Sequence, residues 1–239
     1  MAKLPSNVAA LLGRLVKALM VAVLLPLAIG ILMGILEQLD AVSLSGGTFR
    51  EWVGYGFMTY IGLHILLYRP VPLFQANHRL FSSLAAWLFG GQVTSVEQAG
   101  GGKGKGAKGA KGDSHAQGST LVAFSPYVIP LYTVLMCGLG WMLTRWWNRT
   151  LLDGPVSFLI GVTIAFHWLM TADDLQQQRA RWHVETYLLA IGLVFILTLL
   201  IAAACLPWVI PEFSFTRALA EGFSRTQGMY TTIIQRLFF

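Results

Sequence analysis

Five long apolar runs constrain this chain more than any other feature. They extend from Leu19 to Leu36, Trp52 to Tyr68, Leu121 to Trp147, Pro155 to Met170 and Tyr187 to Ile210. A bilayer needs about 20 such residues per helix, and inside lipid every backbone N–H and C=O must be paired within the protein. The runs therefore predict an all-α, polytopic transmembrane bundle. Composition agrees, with 55% hydrophobic residues, 12% charged residues and a mean hydropathy of +0.62 in a chain of 239 residues. These values lie well outside the range of soluble domains.

The net charge is +6, but four of the seventeen basic residues sit in one tract and most others flank apolar runs. That distribution suits lipid headgroups and orientation and excludes a nucleic-acid surface, which would need a basic stripe interleaved with exposed aromatics. Cys137 and Cys205 each lie inside an apolar segment and read as small buried hydrophobes. The first run is too long for a signal-peptide core, contains Pro26 and Gly30, and lacks a small-x-small cleavage site before Glu37. It reads as a retained transmembrane helix, with Lys3, Arg14 and Lys17 placing the N-terminus in the cytoplasm.

Five regions follow from these patterns. Residues 1–50 hold the first transmembrane helix and a turn, and residues 51–97 hold a second span and an ambiguous segment that starts at Pro72. That segment just reaches the ~20 residues of a span, yet its polar start through Gln75, Asn77, His78 and Arg79 needs shielding at membrane depth. It either crosses or re-enters, giving five to six membrane segments, and the positive-inside rule favours re-entry. Residues 98–120 are glycine-rich with Lys103, Lys105, Lys108 and Lys111, and predict a flexible solvated loop that could also attract anionic lipid or an acidic partner. Residues 121–210 hold the remaining transmembrane helices. The tail, 211–239, spaces Phe215, Leu219, Phe223, Tyr230, Ile234 and Leu237 at helical intervals among Arg217, Arg225 and Arg236, and predicts an interfacial helix or one docked on a partner.

The stretch from His78 to Gly90 carries the most specific signal. A zinc-peptidase helix of pattern His-Glu-x-x-His sets two imidazoles one turn apart, with the Glu as general base. Here His78 is retained, but Arg79 stands at the Glu position and Ser82 at the second His position. The site thus lacks its base and one ligand, and gains a fixed positive charge that repels Zn²⁺. Ser82 and Ser83 have no His-acid pair at triad spacing; with Ala85 and Ala86 they form a small-residue face suited to close helix packing.

Together with other stretches, this motif resembles a bacterial branch of the site-2-protease-like family of intramembrane zinc metallopeptidases. The similar pieces are Gly56 through His64 to Pro70, then His78 to Gly91 followed by Gln92-Val93-Thr94. Phe124 to Tyr127, Pro130 to Tyr132 and Gly161 to His167 follow in the family's order, so the resemblance covers roughly residues 52 to 175. It implies a core of transmembrane helices around a site formed by the His78 helix and a later helix. It also marks this chain as a degenerate member, because Arg79 and Ser82 replace two of the family's catalytic positions and its later Asn/Asp ligand region has no convincing counterpart, Asp173 being the nearest candidate.

The individual residues have plainer readings beside these. His64 and His167, inside apolar helices, either hydrogen-bond a neighbouring helix or join His78 and Asp173 as residual candidates for a metal site, although no metal is expected. Zinc is the alternative cofactor, and a haem held by His64 and His167 is a weaker one. Arg79, at a helix start, needs an anionic partner such as Glu97, Asp173, Asp174 or a lipid phosphate, unless it reaches the headgroups. Asp173 and Asp174 read as a solvated helix end near Arg179 and Arg181. The expected function is therefore a non-catalytic membrane protein of the bacterial inner membrane, with no catalytic residues and a metallopeptidase-like scaffold, serving as a binding or accessory subunit among partner subunits in the bilayer. The alternatives are a zinc peptidase with atypical ligands and a haem-carrying electron-transfer subunit.

Overall fold

The computed structural model describes residues 6–44, 47–66, 75–76, 79–80, 127–146, 149–178 and 183–238. The chain divides into two compact units, one formed by Met1–Val71 with Val128–Phe239 and the other by Pro72–Tyr127. His78, Ser82, Ser83, Ala85, Ala86 and the four loop lysines belong to the second unit and lie outside the described residues. Arg79 is described and is helical.

Among its described residues the first unit has six helices: α1 (Ser6–Asp40), α2 (Phe49–Leu66), α3 (Leu131–Trp146), α4 (Arg149–Gln178), α5 (Val184–Val209) and α6 (Phe215–Phe238). A two-stranded antiparallel hairpin, β1 (Ser43–Leu44) and β2 (Gly47–Thr48), joins α1 to α2 with Ser43 opposite Thr48. The first turn of α2 is fixed by a capping box. Thr48 N–H donates to the Glu51 carboxylate at 2.8 Å, and Glu51 N–H donates to Thr48 Oγ1 at 3.3 Å.

Three of these helices contain stretches long and apolar enough to cross a membrane: Leu11–Asp40, Asp153–Gln177 and Val184–Val209. That count is of the described residues; the segment from Pro72, one of the five to six that the sequence suggests, lies mostly outside them. In the run from Leu121 to Trp147, Pro130 has no N–H to continue a helix, so α3 starts at Leu131 and rises only about 24 Å. α2, at 18 residues, is about 27 Å long. The apolar runs also understate the helices at their ends: α1 begins at Ser6, well before Leu19, and α4 continues past Met170 to Gln178. Asp173 and Asp174 are thus inside a helix, which corrects the reading of a solvated terminus.

α1 runs from an end marked by Arg14, where its guanidinium lies 3.4 Å from His183 Nε2 and Lys17 donates to Thr186 Oγ1 at 3.0 Å, toward the β-hairpin end. α5 runs alongside in the same direction, while α2 and α4 descend from the hairpin end in parallel with each other. The core lies between α1, α3, α4 and α5 and includes Ile35, Phe49, Cys137, Ile160, Ala203 and Leu206. Cys137 and Cys205 are free, buried members of this cluster, as their apolar surroundings imply.

The tail forms the helix that its spacing predicts, and α6 docks antiparallel along α1. Gly30 and Gly34 on α1 meet Gly222 on α6 so closely that a Cβ on Gly34 would fall 2.3 Å from the Ala218 carbonyl and 2.5 Å from Gly222 N. Around this seam, Gln38 Nε2 donates to both Glu221 carboxylate oxygens at 2.9 Å and Arg225 Nε donates to Glu37 at 3.0 Å. Farther along, the Tyr230 hydroxyl donates to the Val23 carbonyl.

Candidate functional site

The polar centre of the first unit is positioned by an unusually close approach of α2 and α4. A Cβ on Gly56 would fall 1.9 Å from the Phe158 carbonyl oxygen, and one on Gly161 would fall 2.0 Å from the Val53 carbonyl oxygen. The two backbones therefore touch, which only small residues permit, and helix association in lipid depends on such contact. Positions four apart share a helix face, so Gly56, Tyr60 and His64 form one stripe of α2 aimed at α4.

At the lower end of that stripe His64 meets Asp173. The Nε2 to Oδ2 distance is 3.5 Å, with the two side chains 9% and 25% exposed. The other ring nitrogen, Nδ1, lies 3.5 Å from the Tyr60 hydroxyl. This arrangement suits the tautomer in which Nε2–H faces the carboxylate and Nδ1 accepts from the phenol. The Tyr60 contact is at the long end for a hydrogen bond and the His64–Asp173 contact is an electrostatic approach without hydrogen-bond geometry, so the row Tyr60, His64, Asp173 is a loose polar chain between two helices. Tyr60 is also packed edge-on against Phe166 at 5.7 Å, and Phe166 against Tyr132 at 5.3 Å.

His167 is 2% exposed on α4, six residues before Asp173 and thus about 9 Å higher along the axis. The structure therefore pairs His64 with Asp173, and His167 occupies a different level. Nearby, the hydroxyls of Thr133 and Thr171 are buried without a hydrogen-bond partner among the described residues. Tyr60 was not among the sequence candidates, although its place one turn before His64 was a usable signal.

Zinc, which the resemblance implies, can be tested against these groups. His64 and Asp173 are both metal-ligand types and face each other closely enough to share an ion, but a catalytic zinc takes about three protein ligands and a water. Among the described residues no group of three or more His, Cys, Asp or Glu side chains is arranged to hold a metal. The described residues alone therefore do not fit a zinc centre; His78 and Ser82 lie outside them. What the pair can do is join two helices through a polar contact between them. Compared with known proteins, the chain matches no family model, no curated protein and no solved structure.

Proposed function

We propose that this chain is a non-catalytic, multi-pass protein of the bacterial inner membrane, with a scaffold like that of site-2 proteases, that works as an accessory subunit in a membrane complex. The observation that carries this reading is the outer face of α6. Leu11–Asp40 is about 45 Å long, so a hydrocarbon core of ~30 Å placed anywhere within it includes Val23 and Gly30. α6 reaches both levels through Tyr230 and Gly222. Between these levels it turns Ser224 and Gln227 outward, with Thr231 next to Tyr230 and Gln235 about 8 Å farther toward the Arg14 end, all exposed. The hydroxyl of Thr231 is satisfied by the Gln227 carbonyl at 2.9 Å, but side-chain amides facing lipid are costly and are ordinarily covered by another helix. A partner subunit covering this stripe removes the cost. On this reading the tail is a docked helix, and the interfacial placement serves only the part near Phe215.

The orientation follows from the same frame. With Arg14 and Lys17 cytoplasmic, α1 to α5 give five membrane segments, with α3 the shortest. On this reading the segment from Pro72 re-enters, as the distribution of basic residues favours.

The test is purification in mild detergent with identification of copurifying subunits, on the native chain and on Gln227→Leu/Gln235→Leu. The partners should be lost in the variant while the chain itself stays folded, and an unchanged set of partners overturns the reading. Elemental analysis of the same sample should show no stoichiometric zinc. A second reading, a zinc peptidase with atypical ligands, is favoured by the facing of His64 and Asp173; it requires near one zinc per chain, lost on His64→Ala or His78→Ala.

A further inference from the structure

A groove of about 700 Å³ opens between α1 and α2, floored by α4 and α5. Its wall on α1 runs from Leu32 to Asp40, on α2 from Arg50 to Met58, and on α4 from Ile160 to Trp168. Each stretch rises through eight residues, or about 12 Å. Nearly all of the lining is apolar, but the mouth at the hairpin end carries Asp40, Arg50 and Glu51. Arg50 spans it, with its guanidinium 3.4 Å from the Asp40 carboxylate and both side chains about half exposed.

We propose that this groove binds a phospholipid with a primary-amine headgroup, its acyl chain between α1 and α2 and its headgroup at Arg50 and Asp40. The depth matches most of one leaflet, which is ~15 Å or half of the ~30 Å hydrocarbon core. The mouth decides the headgroup. Arg50 offers N–H donors to a phosphate, while Asp40 and the free oxygen of Glu51 accept from an ammonium, so both signs of a zwitterion are met. A phosphatidylglycerol leaves the two carboxylates facing an anion, and a phosphatidylcholine has no ammonium N–H to donate. The site is separate from the α6 stripe, so it stands or falls apart from the accessory-subunit reading.

Delipidated full-length protein in detergent, titrated with phosphatidylethanolamine, phosphatidylglycerol and phosphatidylcholine of identical chains and followed by native mass spectrometry, tests this. Phosphatidylethanolamine should bind about tenfold more tightly than either of the others, the worth of one charge-assisted contact. Headgroup alone, as glycerophosphoethanolamine, should not bind. Asp40→Asn, which weakens the ammonium contact, should reduce the preference while binding of all three lipids persists, and Arg50→Ala, which removes the phosphate contact they share, should weaken all three alike. Gly54 lines the groove and a Cβ there meets nothing within 4 Å, so Gly54→Leu should fill it, lose all three lipids, and keep the lipid-free unfolding temperature within about 3 °C. If that variant does not fold, Met58→Trp at the exposed rim takes its place. Equal affinity for the three lipids, undiminished phosphatidylethanolamine binding in the filled variants, or capture of a polypeptide by a photo-crosslinker at Gly54 overturns the proposal.

Discussion

At the scale of single residues, a missing methyl group sets the geometry of the polar centre. Gly56→Ala or Gly161→Ala places a Cβ within about 2 Å of a backbone carbonyl, where no side-chain rotation relieves the clash. Either should cost about 3 kcal/mol or more, the upper range for overpacking, while Gly54→Ala on the same helix should be neutral within about 0.5 kcal/mol. Thermal unfolding of the three variants in one detergent checks this; equal stability would mean that α2 and α4 are not in contact. The pair they position gives a second expectation. Asp173→Ala leaves His64 facing a cavity in a mostly buried setting and should cost about 1–3 kcal/mol, with Asp173→Asn costing less because a hydrogen-bond acceptor remains. His64 and Asp173 were each legible in the sequence as polar groups in or near apolar helices. Their pairing was not, because the apolar run stops at Met170 and suggests that the helix does too, whereas the helix persists to Gln178 wherever a buried partner offsets the cost of its polar residues.

At the scale of elements, hydropathy located the helices better than it located their ends or neighbours. The cores of α1, α2, α4 and α5 coincide with the apolar runs, since a continuous apolar stretch has few other ways to satisfy its backbone. α6 was legible as a helix from its spacing, but its docking on α1 was not, although Gly30-x-x-x-Gly34 is a small-residue seam that could have pointed to it. The sequence directed attention instead to Ser82–Ala86, which lies outside the described residues. If the seam holds α6, then Gly222→Leu, whose first side-chain atom would fall 2.9 Å from the Ile31 Cα, should release the tail to limited proteolysis after Arg217 or Arg225. Arg225→Ala should not, because its pair with Glu37 is half exposed and worth about 0–1 kcal/mol. Comparable protection of the tail in native chain and Gly222→Leu would place the docking energy elsewhere.

At the scale of the whole molecule, alternating helix directions gather charged and polar groups at two ends. Asp40, Ser43, Arg50 and Glu212 lie at the hairpin end, and Arg14 and His183 at the other, separated by the length of α5, about 39 Å. That separation exceeds the ~30 Å hydrocarbon core, so both ends can reach water at once. The two native cysteines are buried in the apolar cluster and should not compete in thiol labelling. Single cysteines at Ser43 and Glu212 should therefore react with a membrane-impermeant maleimide in intact spheroplasts, while one at His183 should react only after the membrane is opened. Labelling of Ser43→Cys and His183→Cys from the same side would mean that α1 does not cross, and the depth assigned to the polar face of α6 would fall with it. Labelling from opposite sides but in the reverse sense would keep the bundle and invert its orientation, moving the headgroup site at Arg50 to the cytoplasmic leaflet.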